Sequence, residues 1–338
     1  MGTKRGETMV SSKDVAKLAG VSQSTVSRVL NGLPNVRPET RKKVEQAMQK
    51  LQYHPNLIAR SLAMNRTRTI ALISANLHNP FYAETTTAVI QLAAEKGYNT
   101  MVFLETMGDH CKLFELAVSH KVDGIIISSI HLDDPVFDLL IRSGTPYMQF
   151  NRKHRKGGNY VVLNNFLAGR LAVEHIIQLG HVRIGMIFGP LDISTFFERK
   201  EGCFQVLKEW GIDFDPALIK TVDTSREQTE RATLDLLHMI NPPTAILCAT
   251  DHMAFYAMDT ILSLGIKIPQ DISLIGIDDI GIAAHQGIQL TTVAHYKYRM
   301  GELAVNHLIH MMESGDMKHP RQIVLEPNLV VRKTTRRI

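Results

Sequence analysis

Apolar residues in the first fifty positions recur three and four apart. Val15, Leu18 and Ala19 form one such face, Val26, Val29 and Leu30 a second, and Val44, Ala47, Met48 and Leu51 a third, the spacing of helices that each bury one stripe. The breaks between them carry helix punctuation: Ser11 with Asp14 three residues on has the form of a capping box, Gly20 suits a left-handed stop, and Ser22 can cap a second helix. Asn31-Gly32 interrupts the pattern, and Pro38 suits the first position of a third helix. A short segment, Asn56 to Ala63, follows Pro55. From Thr69 onward the period changes. β-rich runs occur at Ile70–Ser74, Thr100–Leu104, Gly124–Ser128, Pro146–Phe150, Tyr160–Leu163, Ile184–Phe188, Thr244–Cys248 and Ser273–Ile277, with helical stretches between most of them. This predicts an α/β region with parallel sheets. Eight strands suit a single barrel. The C-terminal return (Leu290–Val293, a helix around Met300–Met312, then Gln322–Leu325) suits two doubly wound lobes linked by crossovers at least as well.

Length and composition narrow the class. At 338 residues the chain is longer than one hydrophobic core usually supports, so two or three domains are expected. No stretch approaches the roughly 18 uncharged apolar residues of a membrane helix. Lys4 and Arg5 are not followed by an apolar run, so no secretory signal is expected and the cytoplasm is the expected location. Cys111, Cys203 and Cys248 lie far apart without C-x-x-C spacing, which argues against a disulfide framework and a thiolate zinc site. The net charge of +5 is unevenly held. Residues 1–68 contain 13 Lys and Arg against four acids, which leaves 25 against 29 in the rest of the chain. A basic head on a mildly acidic body points to a polyanionic partner for the head.

Two short helices joined by a tight Gly-containing turn form a helix-turn-helix pattern. Burial of Val26, Val29 and Leu30 leaves Gln23, Ser24, Ser27 and Arg28 to enter a major groove, although any small helical unit also has a solvated face of this kind. Arg28 is best suited to read a base, because its planar fork can donate two hydrogen bonds to guanine O6 and N7.

The run Asp14 to Ser22 (DVAKLAGVS), continued by Thr25 to Asn31 (TVSRVLN), resembles the DNA-binding head of the lactose/galactose repressor (LacI/GalR) family of bacterial transcription regulators. Thr40-Arg41 with Val44, Tyr53-His54-Pro55-Asn56 and Ala59-Arg60-Ser61-Leu62 resemble its third helix and hinge helix. Asn79-Pro80-Phe81, Val122-Asp123-Gly124-Ile125-Ile126, Leu179-Gly180-His181, Gly276-Ile277-Asp278-Asp279, Leu290-Thr291-Thr292-Val293 and Leu329-Val330-Val331-Arg332 follow in the family's order, so the resemblance covers nearly the whole chain. It implies an N-terminal all-α helix-turn-helix head (9–55), a hinge helix or linker (56–67) that is helical only on DNA, and an α/β periplasmic-binding-protein-like body (68–338). That body would have two Rossmann-like lobes with parallel sheets, roughly 68–160 plus 291–320 and 161–290 plus 321–338. An intertwined homodimer would read double-stranded, pseudo-palindromic operator DNA as a repressor. By position, Gln23 and Ser24 would follow operator sequence, Thr25 and Ser27 would meet phosphates and nearby edges, and Arg28 a guanine. Asn31 and Ala59 would add DNA contacts, and Leu62 would enter the minor groove as a wedge that kinks the duplex. Arg37 departs from the capping Ser or Thr common in the family, and eight residues precede the usual start, with Met9 a second candidate initiator.

For the body, loops at the carboxyl ends of strands are the expected ligand contacts. They include Asn76 to Tyr82, Asn151 and Arg152, Pro190 to Arg199, Thr250 and Asp251, and Asp278. By family position, Phe81, Tyr82, Asn151, Phe197, Arg199, Thr250 and Asp278 face the effector. Aromatic faces with Asp, Asn and Arg suit a sugar or sugar derivative. An amide at Asn151, where several family members carry an aspartate, points to a more anionic or less hydroxylated ligand. A protein or a nucleobase is the alternative co-effector. No G-x-S-x-G, G-x-x-x-x-G-K-[ST], G-x-G-x-x-G after a strand, or H-E-x-x-H occurs. Asp133-Asp134 and Asp278-Asp279 are adjacent and would point to opposite sides of a strand, and His307 with His310 lacks a third ligand. Neither an enzyme nor a cofactor or metal is expected.

Overall fold

The computed structural model describes residues 10–30, 35–53, 66–105, 109–213, 215–294 and 297–338. The chain divides into two compact units, Met1–Thr67 and Arg68–Ile338.

The first unit holds α1 (Ser12–Ala19), α2 (Gln23–Leu30) and α3 (Pro38–Lys50). Asp14 accepts from the backbone N and Oγ of Ser11 at 2.9 and 2.7 Å, and Ser22 Oγ accepts from Thr25 N at 3.1 Å, so both helix starts are capped as their sequence suggests. Gly20 ends α1 at φ 67°, a backbone conformation that costs glycine nothing. Arg37 supplies no side-chain cap to α3, and Pro38 occupies the first turn instead. Val15, Ala16, Val26, Val29, Val44 and Ala47 close the core, with Leu18 half exposed rather than buried.

The second unit is built on two six-stranded sheets, which excludes the single barrel. The first has the order β11 (Gln322–Leu325), β5 (Tyr160–Leu163), β4 (Tyr147–Phe150), β3 (Gly124–Ile127), β1 (Thr69–Ser74), β2 (Asn99–Leu104), all parallel. The second runs β12 (Asn328–Val330), β10 (Thr291–Ala294), β9 (Ser273–Asp278), β8 (Ala245–Cys248), β6 (Ile184–Phe188), β7 (Ile219–Thr221), parallel except for β12. Every residue of the central strands β3 and β8 is buried, as expected where helices cover both faces, whereas no residue of edge strand β2 is fully buried. The crossover helices are α4 (Pro80–Glu95), α5 (His110–Ser119), α6 (Val136–Ser143), α7 (Asn165–Gln178), α8 (Ser194–Glu209), α9 (Arg226–Leu237), α10 (Asp251–Ser263) and α11 (Lys297–Ser314).

The chain passes between sheets three times, after β5, after β10 and after β11. These crossings correct the lobe boundaries drawn from sequence. β5 and β11 pair with each other in the first sheet, and β10 pairs with β9 in the second, so each crossing falls three to five residues later than expected. An apolar strand next to a crossing reads the same whichever sheet receives it; only its hydrogen-bonded neighbour decides. α11 then returns to the first lobe, where Met300, Ala304, Val305 and Leu308 pack with Ile70, Leu72, Val89 and Met148.

Candidate functional site

In the head, α2 presents Gln23, Ser24, Ser27 and Arg28 to solvent, while Thr25 is half buried. Gln23 Nε2 donates to Ser12 Oγ of α1 at 3.0 Å, and Ser22 Oγ lies 2.8 Å from both Ser24 Oγ and Thr25 Oγ1. The polar edge is therefore held in register with the first helix of the motif. Among the described residues no ion pair joins Arg28 to a carboxylate, and its side chain is exposed on the same edge. Asn31, Ala59 and Leu62 lie outside the described residues.

In the body, a cavity of about 560 Å³ opens between the carboxyl ends of the two sheets. Its walls are helix first turns and the residues just past strands. Asn79 caps α4 by accepting from Phe81 N at 3.0 Å, with Pro80 in the first turn, and this sets Phe81 and Tyr82 against the cavity. Thr250 does the same for α10, accepting from Met253 N at 3.2 Å. Asn151, past β4, has φ 66°, and a bond from Arg152 N to Phe150 O at 2.7 Å closes the tight turn around it. Asn tolerates this left-handed conformation better than most side chains.

The floor is an ion pair. Arg199 is 1% exposed; its Nη2 donates to Asp278 Oδ1 at 2.9 Å, its Nε to Asn165 Oδ1 at 3.0 Å, and its Nη1 to the carbonyl of Ala249. Asp278 has φ 133°, a costly backbone for a residue with a side chain, held where β9 pairs with β10 and where Arg199 grips its carboxylate. Beneath it, Asp251 is fully buried and accepts from Thr292 Oγ1 at 2.5 Å and Ile280 N at 3.0 Å. Burial, with the neighbouring Asp278 charge, raises its carboxyl well above the usual range. Asp279 turns away and pairs with Arg332 Nη2 at 2.6 Å.

Six of the seven residues carried over for the effector line this cavity: Phe81, Tyr82, Asn151, Arg199, Thr250 and Asp278. Phe197 does not. It is 39% exposed, and Phe196 lines the cavity in its place. On α8, Phe196 and Arg199 are three apart and share a face, whereas Phe197 is rotated about 100° from its neighbour. Sequence reasoning also passed over Glu105, His131, His252 and Tyr256, which line the cavity. Glu105 directly follows β2, so the strand-end rule reaches it. Arg152 was within that rule's reach beside Asn151.

His110, the first residue of α5, is buried beside this wall. Its Nδ1 is 2.5 Å from Asp134 Oδ2, and its Nε2 is 3.3 Å from Glu105 Oε2, within ion-pair reach but out of line for a hydrogen bond. Burial opposes its protonation, yet the two carboxylates outweigh that and raise its pKa to about 9. The ordinary value is near 6.5, so His110 stabilises the fold fully below that pH, and the contribution is lost as pH rises through about 9. The melting temperature of the wild type is expected to fall more steeply from pH 7 to 9.5 than that of His110→Asn, measured by differential scanning fluorimetry. Equal slopes would remove His110 from that dependence.

The family model for bacterial regulatory proteins, lacI family, matches residues 12–56, and that for a periplasmic binding protein-like domain matches residues 173–335. The HTH-type transcriptional repressor PurR of Aliivibrio salmonicida is 33% identical over 98% of this chain and 100% of its own length. The chain belongs to the lacI family of bacterial regulatory proteins. CelR of Thermobifida fusca is 32% identical over 95% of this chain and 96% of its own. Among solved structures, a lac repressor dimer bound to operator and the anti-inducer ONPF superposes with a TM-score of 0.86 at 29% identity, covering 97% of this chain and 100% of that one. A CelR–cellobiose complex gives a TM-score of 0.73 at 31% identity over 96% of this chain and 99% of that one. This lacI-family chain thus joins a DNA-binding head to an α/β body, and its relatives are named transcriptional regulators. No helix among its described residues is long and apolar enough to cross a membrane.

Proposed function

We propose that this lacI-family regulator is a homodimeric, cytoplasmic repressor whose operator affinity is set by a carbohydrate-like effector held between the two lobes. The observation that carries this reading is the cavity itself, where a buried Arg199–Asp278 pair lies among Tyr82, Phe196, Asn151 and Thr250. Apolar ring faces suit the C–H surfaces of a sugar, and the polar groups suit its hydroxyls. Because the chain crosses between lobes three times, a ligand that bridges them favours one lobe angle. That angle sets the spacing of the two segments leading to the heads, so ligand and DNA affinities are reciprocally coupled. The likeness to PurR keeps a nucleobase in view as second reading.

A thermal-shift screen of sugars, sugar acids, nucleobases and nucleosides tests the effector class, since a ligand of the folded state raises the melting temperature by mass action. Operator-like sites selected from random DNA, followed by fluorescence anisotropy with and without the hit, test the coupling. A hit that leaves DNA affinity unchanged would refute the regulatory reading. On such a site Arg28→Ala is expected to cost about 1–3 kcal/mol while non-specific DNA binding is nearly kept, because a base contact discriminates and a phosphate contact does not. Equal loss on selected and random DNA would move Arg28 to the backbone.

A further inference from the structure

One carboxylate in the cavity wall is fixed from behind. Glu105 lines the cavity with 18% of its side chain exposed. Behind it stands His110, which does not line the cavity, and behind His110 stands Asp134, which also accepts from Val136 N at 3.1 Å. The Arg152 guanidinium lines the same cavity. Its Nε donates to Tyr82 Oη at 3.0 Å and its Nη1 to Ser129 O at 2.8 Å, and it forms no ion pair with a described carboxylate. Arg152 lies near enough for its charge to lower the pKa of Glu105. From interior to cavity the groups therefore alternate in sign: Asp134, His110, Glu105, Arg152.

We propose that Glu105 is a specificity-determining residue of the effector site, selecting a ligand that presents hydroxyl groups to this wall and rejecting one that presents a carboxylate or phosphate. The inference rests on the effector reading above and deepens it. A hydroxyl can donate to Glu105 and accept from Arg152 at once, which neither a carboxylate nor an ammonium can do. A ligand anion gains Arg152 but faces Glu105, and like charges brought together in a partly desolvated site are the usual means by which a wrong partner is refused. Burial pushes the Glu105 carboxyl up, but His110 together with the charges of Arg152 and His131 outweighs it and the net shift is downward, so the residue stays ionised at neutral pH. His110 acts through Glu105 as a positioning residue.

The test uses the full chain and matched probes at pH 7: glucose beside glucuronate and glucose 6-phosphate, galactose beside galacturonate, and cellobiose beside cellobionate, ranked by thermal shift and measured by calorimetry. The best neutral probe is expected to bind the wild type at least tenfold more tightly than its acidic counterpart. Glu105→Gln, which keeps the shape and removes the charge, is expected to shrink that ratio at least tenfold. Glu105→Asp is expected to retain the preference for the neutral member, a rescue that a purely structural partner of His110 would not show. An acidic probe that binds the wild type as well as its neutral counterpart, or a ratio unchanged in Glu105→Gln, would overturn the proposal and leave the effector reading standing. Failure of every probe, neutral and acidic, in a protein that still melts cooperatively would overturn both. Should Glu105→Gln fail to fold, the wild-type ratio and Glu105→Asp decide the matter.

Discussion

Arg199→Ala is expected to abolish effector binding and to cost the body about 3–5 kcal/mol, the usual result of removing one partner from a buried pair. The size follows from what the guanidinium holds. Its three nitrogens serve Asp278 at the end of β9, Asn165 at the start of α7 and the Ala249 carbonyl just past β8. Removal leaves Asp278 buried, unpaired and close to Asp251, whose carboxyl is already raised by burial and by that neighbouring charge. Arg199→Lys is expected to recover little, because one ammonium cannot span the three acceptors of a planar fork. Asp278→Asn keeps the shape and relieves the repulsion on Asp251, so it is expected to cost less stability while weakening ligand at least tenfold, about 1.4 kcal/mol. Scanning calorimetry and ligand titration separate the two effects. A stable Arg199→Ala variant with unchanged ligand affinity would remove the ion pair from the site.

The regulator's head was legible because each helix boundary carried its own residue: Ser11 with Asp14, Gly20, Ser22 and Pro38 act within one turn of where they stand. The sheets were legible for the same local reason, as runs such as Gly124–Ile127 are apolar without alternation. What the sequence withheld depends on contacts made across the fold. The partner sheets of β5, β10 and β11 are set by neighbours far along the chain. β7, three residues at a sheet edge, carries too little apolar surface to stand out. Phe196 and Phe197 are adjacent and chemically identical, and only the phase of α8 distinguishes the wall residue from the exposed one. The amide at Asn151 pointed toward a more anionic or less hydroxylated ligand, whereas Glu105, brought to the same cavity by β2, argues for a neutral, hydroxylated one. A pocket's charge depends on every element that reaches it, and one position read alone reports a fraction of it.

The phase of α8 is itself fixed by two glycines, which leads to the second large expectation. α7 and α8 cross backbone to backbone: a Cβ at Gly169 would overlap the carbonyl oxygen of Arg199, and one at Gly202 would overlap that of Phe166. The neighbour in each case is main chain, which cannot swing aside as a side-chain tip does. Overpacking a core by a methyl group typically costs about 1–3 kcal/mol, and Gly202→Ala is expected at the upper end or above because the helices must separate. At roughly 2–4 °C per kcal/mol for a domain of this size, the melting temperature is expected to fall by about 6–12 °C. Higher intrinsic helix propensity offsets only about 1 kcal/mol of that. Gly202 lies one turn beyond Arg199 on the same helix, and Asn165 at the start of α7 accepts from Arg199 Nε, so separating the helices pulls that donor from its acceptor. Gly202→Ala is therefore expected to weaken effector binding as well as stability, whereas Gly211→Ala, past the end of α8, strains a backbone at φ 64° but meets no atom at its Cβ position, and is expected to leave ligand affinity unchanged. Calorimetric titration of both variants gives the answer. A Gly202→Ala protein with wild-type melting and wild-type ligand affinity would mean that the crossing does not set where Arg199 stands.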